Sequence, residues 1–215
     1  MKEIEFYHSR LWTDPDYALE PRLETELLVE KIAIKHKNQP PKVFADVCAG
    51  CGTIGIPLKI VFKESEVYFV DISTKALELL EKNISHNKIK GCVLQGDLLE
   101  PLIQQKIKVD LFVCNPPYVA INETDLLDEK AHKEPAIALF GGMDGLDFYR
   151  RLAAGLPKVL SKGAFVYFEI GYNQGDSLLM LFDQPWYRNQ KVENDYAGHN
   201  RFFSLVFEPS SLLES

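Results

Sequence analysis

Long hydrophobic runs are missing from this sequence: no apolar stretch approaches the ~18 residues that a membrane-spanning helix requires. The opening MKEIEFYHSR has neither the apolar centre of a secretion signal nor the Arg-rich, acid-poor character of a transit peptide. A cytoplasmic protein with no membrane partner is expected. Cysteine is scarce as well. Four thiols (Cys48, Cys51, Cys92 and Cys114) among 215 residues fall far short of a disulfide framework, so reduced side chains are expected. Cys48 and Cys51 form a single CxxC, no second one exists, and the five histidines are scattered singly; no metal-ligand set is assigned. Positive charge is in deficit, with 24 Lys and Arg against 31 Asp and Glu and a net charge of −7. That balance argues against a phosphate-gripping groove as the main surface and leaves nucleic acid at most an indirect partner. What is there is enough apolar content, 46%, to build the core of one sizeable domain.

From Val43 onward short β-rich runs alternate with helical patterns: VFADV, VYFVDI from Val67, GCVLQGD from Gly91, VDLFVCN from Val109 and GAFVYFEI from Gly163. Such alternation predicts an α/β fold built of βαβ units around a mostly parallel sheet. Between Ile72 and Gly91, Ser73 is placed to cap a crossover helix. Ala76, Leu77, Leu80 and Ile84 share its buried face, and Glu78 is spaced to pair with Lys82. Helices are also predicted from Leu23 (apolar at Leu27, Leu28, Ile32 and Ile34), from Leu146 to Leu160 with Gly155 and Pro157 ending the regular part, and from Gln174. The stretch after Asn189 reads as two strands around a turn, an antiparallel C-terminal edge. The segment from Val119 to Gly145 is long, lacks periodicity and holds the flexible FGGMDG; such loops act as lids or binding loops.

ADVCAGCGTIG follows the first of these strands, and Gly50, Gly52 and Gly55 satisfy GxGxxG, the dinucleotide fingerprint. Charge separates the candidate ligands. Asp46, Asp71 and Asp97 stand at the ends of three successive strands, where they would repel a pyrophosphate. S-adenosylmethionine carries a sulfonium and an ammonium and no phosphate. It suits this crevice, with Asp71 accepting from ribose hydroxyls, Asp97 near the adenine amino group and Asp46 biasing the methionine end. Taken singly, each Asp reads better as a turn former or helix cap; it is the three together, at successive strand ends, that point to the ligand.

LFVCNPPYVA, from Leu111 to Ala120, ends an apolar strand in two residues that cannot donate a backbone hydrogen bond. Asn115, preceding proline, is pushed to an extended conformation, and its side-chain carbonyl faces the crevice. The Pro116 carbonyl is a second acceptor, because Pro117 has no N–H with which to close over it. Two acceptors suit a planar NH2 group, whose lone pair must point at the methyl donor, and Tyr118 can stack on that plane. Without the acidic crevice, the same residues read as a proline-rich turn.

With these motifs the chain resembles the HemK-type protein glutamine N5-methyltransferases, which modify the Gln of a Gly-Gly-Gln tripeptide in peptide chain release factors. EPRLETELLVE from Glu20, EPAIALFGGMDGLDFYRRL, FEIGYNQGD and DYAGHNRFFSL are similar to further family stretches, so the likeness runs from about Tyr17 to Leu205. It implies the class I S-adenosylmethionine-dependent methyltransferase fold, with a seven-stranded Rossmann-like sheet. It implies an extension over residues 1–40, whose helix packs over the cofactor site, and a catalytic domain over 41–215. It assigns Cys48, Ala49, Gly50, Cys51, Gly52, Asp71, Asp97, Leu98 and Asn115 to S-adenosylmethionine, beside Asp46. Asn115, Pro116, Pro117 and Tyr118 are assigned to the substrate glutamine, with Asn115, Pro116 and Tyr118 catalytic. Leu23 stands where the family has proline after Arg22, Cys48 stands where glycine is frequent, and Pro57 falls early in a helix. The helical N-terminal domain of most bacterial members is not matched, so the release factor is expected to be held differently or with an activating subunit. The alternative reading is N-methylation of an exocyclic amino group of adenine or guanine in RNA or DNA; a third is a cofactor-binding protein without catalysis.

Overall fold

A computed structural model of the chain describes residues 1–126 and 134–209. The central sheet is built from β3 (Val43–Val47), β4 (Glu66–Asp71), β5 (Cys92–Gln95), β6 (Val109–Cys114), β7 (Leu160–Glu169), β8 (Tyr187–Asn194) and β9 (Asn200–Phe207). Their order is β5-β4-β3-β6-β7-β9-β8. The first five strands are parallel, and β9 and β8 add antiparallel pairings. The mostly parallel sheet with its antiparallel C-terminal edge is what the sequence pattern predicts, and its seven strands are what the family resemblance implies.

The middle strands are nearly continuous apolar runs because helices cover both of their faces. On one face Phe44, Leu111, Val113 and Tyr167 pack with the buried residues of α1 (Leu23–His36), α2 (Gly55–Val61) and α3 (Thr74–His86). On the other, Ala45, Phe112, Val166 and Phe168 pack with α4 (Glu100–Gln104), α6 (Asp147–Gly155) and α7 (Gly175–Leu181). A short helix, α5 (Ala136–Leu139), and a 3-10 turn (Ile121–Leu126) occupy the ends of the long segment after β6. Residues 127–133 of that expected loop lie outside the described residues. Among the described residues, no helix is long and apolar enough to cross a membrane.

Local signals translate well. Ser73 caps α3, its hydroxyl accepting the Ala76 N–H at 3.3 Å. Pro57 lies in the first turn of α2, where its missing N–H costs no helical bond. Gly155 ends α6, and Pro157 sits in the 3-10 turn that follows. Three details differ. Ile34 is exposed and Val29 is buried in its place, since α1 is covered along a wider stripe than the chosen positions describe. Glu78 and Lys82 form no ion pair, the pairing of two solvated side chains being worth little. The last parallel strand begins at Leu160, not Gly163, extending the sheet into what reads as the end of a helix.

A hairpin of β1 (Lys2–Phe6) and β2 (Ser9–Thr13) precedes all of this, and nothing in the local sequence announces it. Its two-residue turn puts Tyr7 and His8 at positive φ, where Asn-Gly is the usual signal. Tertiary bonds compensate. The Tyr7 N–H donates to Glu26 Oε1 at 2.9 Å. Asn83, fully buried on α3, accepts the Trp12 N–H at 2.7 Å and donates to the carbonyls of Trp12 at 3.0 Å and Cys51 at 2.9 Å. One amide thus ties the hairpin, α3 and the glycine turn together. Asn83→Ala is expected to cost roughly 2–4 kcal/mol of stability in urea titration, because it strands buried backbone groups. A loss below about 1 kcal/mol would show that the hairpin is held by other contacts.

Candidate active site

Parallel strands β3, β4 and β6 end on the same edge of the sheet, and their following turns enclose a cavity of about 220 Å³. The floor comes from the turn after β3. Cys48 and Gly50 adopt left-handed backbone, φ +57° and +55°, which brings Ala49 and Gly50 against the cavity. Glycine carries no steric penalty there, which is the physical reason that Cys48 occupies a position suited to glycine. A Cβ on Gly50 would meet only Ala18, at 3.7 Å, so the cavity lies open beside it.

Electrostatics are dominated by acids. Asp46 is 1% exposed; its Oδ2 accepts the Gly55 N–H at 2.7 Å, while its Oδ1 is buried with no hydrogen-bond partner. Burial pushes its carboxyl up to about 7, against the lowering effect of the Gly55 N–H and with a further upward push from Asp71. Asp71 accepts N–H groups from Gly50 at 2.8 Å and Ser73 at 2.9 Å, and burial raises it too. Asp97 pairs with Arg151 at 2.6 Å. Glu20, Asp46, Asp71 and Asp97 therefore face a single basic side chain, Arg151, among the described lining residues. Arg151 was not legible in the sequence: it reaches Asp97 from α6 across 54 positions.

Asp46, Cys48, Ala49, Gly50, Asp71, Asp97, Leu98, Asn115 and Pro117 all line the cavity. Four predicted residues do not. Cys51 is buried with Ala76 and Leu79, its Sγ 3.3 Å from Thr53 Oγ1. Gly52 packs against helices, since a Cβ there would lie 2.5 Å from Ile56 and 2.7 Å from Leu80. These two shape the turn from behind. Pro116 is buried, and Tyr118 turns its hydroxyl toward Glu169 Oε1 at 3.3 Å. Among the described residues, no hydrogen bond engages the Asn115 side chain or the Pro116 carbonyl. All four cysteines are free, and burial pushes the Cys51 thiol up to about 11.

Two segments roof the cavity: Tyr17–Pro21 with Thr25 from the N-terminal side, and Pro135, Ile137 and Ala138 beyond the NPPY turn. They are latched together by buried Glu134, which accepts the Glu20 N–H at 2.8 Å and an Arg22 N–H at 2.7 Å. The FGGMDG stretch is structured, with the Val119 N–H bonding Leu139 and the Gly141 N–H bonding Val119, each at 2.9 Å.

Residues 23–132 match the family described as "Methyltransferase small domain". A release factor glutamine methyltransferase of Chlamydia trachomatis is 34% identical over 215 residues, covering 99% of this chain and 72% of the relative. That of Bacillus anthracis is 37% identical over 211 residues, covering 95% and 74%. The chain belongs to the release factor glutamine methyltransferase family. A methyltransferase structure from Pyrococcus furiosus superimposes with a TM-score of 0.69 at 14% identity, covering 95% of this chain and 91% of that one; it shares the fold. The sheet is accordingly that of the class I S-adenosylmethionine-dependent methyltransferases.

The unpartnered Asp46 Oδ1 generates a pH prediction. Burial pushes this carboxyl up to about 7, so the charge at this buried position in the cavity wall is expected to grow as pH rises through that value. A cation binds the ionised form, so S-adenosylmethionine affinity should rise as pH climbs through that value. Asp46→Asn should remove that step. Calorimetric titration at several pH values checks this; an identical pH profile in wild type and variant would contradict it.

Proposed function

We propose that this protein transfers a methyl group from S-adenosylmethionine to the side-chain nitrogen of the glutamine in the Gly-Gly-Gln motif of a peptide chain release factor. The observation that carries the reading is the pairing of an acidic cavity with a strand end whose two acceptors, Asn115 Oδ1 and the Pro116 carbonyl, have no partner among the described residues. The cofactor suits the cavity's charge, because four acids around one engaged arginine disfavour a diphosphate and accept a cation. Asp46 would sit toward its methionine end, with Asp71 and Asp97 toward the ribose and adenine. When bound, S-adenosylmethionine supplies a methyl group made electrophilic by its sulfonium.

The chain's own residues do the rest. An amide nitrogen is a poor nucleophile because its lone pair is delocalised. Two fixed acceptors hold both of its hydrogens, set the NH2 plane and stabilise positive charge growing on nitrogen. Asn115 is common to both halves, lining the cavity while its oxygen serves the amide. No strong base is required, since the methylated, cationic amide loses its proton readily to water. Tyr118, tethered to Glu169, bounds the amide site; burial and the neighbouring carboxylate keep its hydroxyl protonated.

Incubation with radiolabelled cofactor and a purified release factor should label the tripeptide glutamine. Label that persists after Gln→Ala in the tripeptide, or that appears in RNA instead, would contradict the assignment. Asn115→Ala should lower turnover roughly 100-fold or more, measured by single-turnover transfer at saturating cofactor. A near-normal rate would overturn the two-acceptor mechanism.

A further inference from the structure

Under the reading above, the turn after β6 carries the groups that hold the amide, yet its backbone is held by residues far along the chain. Gln174, at the N-terminal end of α7, is 6% exposed, and its side chain is committed entirely to main chain. Nε2 donates to the Tyr118 carbonyl at 2.9 Å and to the Gly145 carbonyl at 3.2 Å. Oε1 accepts the Gly171 N–H at 2.9 Å. An amide with both hydrogens and its oxygen engaged has one orientation, and a buried carbonyl that loses its donor has nowhere else to turn.

The neighbouring glycines are shaped around the same atoms. Gly145 has φ +74°, and a Cβ there would lie 2.2 Å from the Tyr118 oxygen and 2.6 Å from Gln174 Nε2. A Cβ on Gly141 would lie 2.5 Å from the Pro117 oxygen. Both contacts are closer than real side chains make, so these positions admit the carbonyls only as glycine. None of Gln174, Gly141 and Gly145 lines the cofactor cavity. Their contacts converge on the backbone of the NPPY turn instead.

We propose that Gln174 is a positioning residue for methyl transfer. By gripping the Tyr118 carbonyl from behind, it fixes the direction in which Asn115 and the Pro116 carbonyl present their oxygens, without touching cofactor or substrate. This rests on Asn115–Tyr118 being the amide-holding turn. Displacements of about 1 Å in such a constellation cost on the order of 100-fold in rate, so a distant amide can matter as much as a contacting one.

The test uses Gln174→Glu, which keeps the shape and replaces the donor NH2 with an oxygen facing two carbonyls. Expected are a cofactor affinity within about twofold of wild type and a kcat on the release factor lowered roughly tenfold or more. The deficit relative to wild type at each pH should shrink as pH falls, because a protonated carboxyl regains one donor. Amide hydrogen exchange should accelerate over residues 115–121 and stay unchanged in the turn after β3. Wild-type kcat and exchange in the variant would overturn the proposal, and so would equal losses in cofactor affinity and in exchange across the whole sheet. Should the glutamate variant fail to fold, Gln174→Met, which keeps the bulk and loses all three bonds, carries the affinity, kcat and exchange readouts. If the wild-type protein itself transfers no methyl to a release factor, the functional reading falls, while the exchange comparison still decides whether Gln174 holds the turn.

Discussion

The end of β6 is the constraint on which the site depends: the strand runs straight from Cys114 into Asn-Pro-Pro, and neither proline offers an N–H with which the following turn could close over the carbonyls before it. Flanked by β3 on one side and β7 on the other, this strand end is locked in place by its register with both neighbours. The oxygens left over therefore sit at a fixed point of the rigid sheet. Around that point lie a cavity lined by the turn after β3 and two buried partners of Tyr118: Glu169, which accepts its hydroxyl, and Gln174, which donates to its carbonyl.

Charge and burial reinforce this geometry. Thr25 lines the cavity and donates to Glu169 Oε2 at 2.6 Å, and Glu169 accepts from Tyr118, so the cavity roof and the NPPY turn share one buried carboxylate. Burial raises both Glu169 and Asp46 above the usual carboxylate range. They differ in what surrounds them. Both Glu169 oxygens are hydrogen-bonded inside the protein, whereas Asp46 keeps one oxygen without a partner. A buried acceptor of that kind is costly, and under the proposed function a cationic ligand offsets that cost.

Much of this was legible in the sequence. The five parallel strands, the Ser73 cap and the antiparallel edge rest on periodicity and capping, which are local properties. So do the glycine turn and the two prolines. The N-terminal hairpin was not legible, because its Tyr7-His8 turn carries no turn signal and its stability comes from Asn83 and Glu26, contributed by distant helices. Arg151, Glu134 and Gln174 escaped for the same reason: each acts through a partner more than 50 positions away. GxGxxG also overstated the case for its own members, since Gly52 and Cys51 face the helices rather than the cavity. FGGMDG reads as flexible, yet glycine is needed there for close backbone approach, and the loop is pinned at both ends.

The central claim is that two oxygens at the end of β6 grip one planar nitrogen beside a cationic methyl donor. A crystal structure with S-adenosylhomocysteine and a Gly-Gly-Gln peptide tests it most directly. The account predicts the glutamine amide nitrogen within about 3 Å of both Asn115 Oδ1 and the Pro116 carbonyl, its face toward the cofactor sulfur. An amide seated elsewhere, or those oxygens bonded within the protein instead, would contradict it.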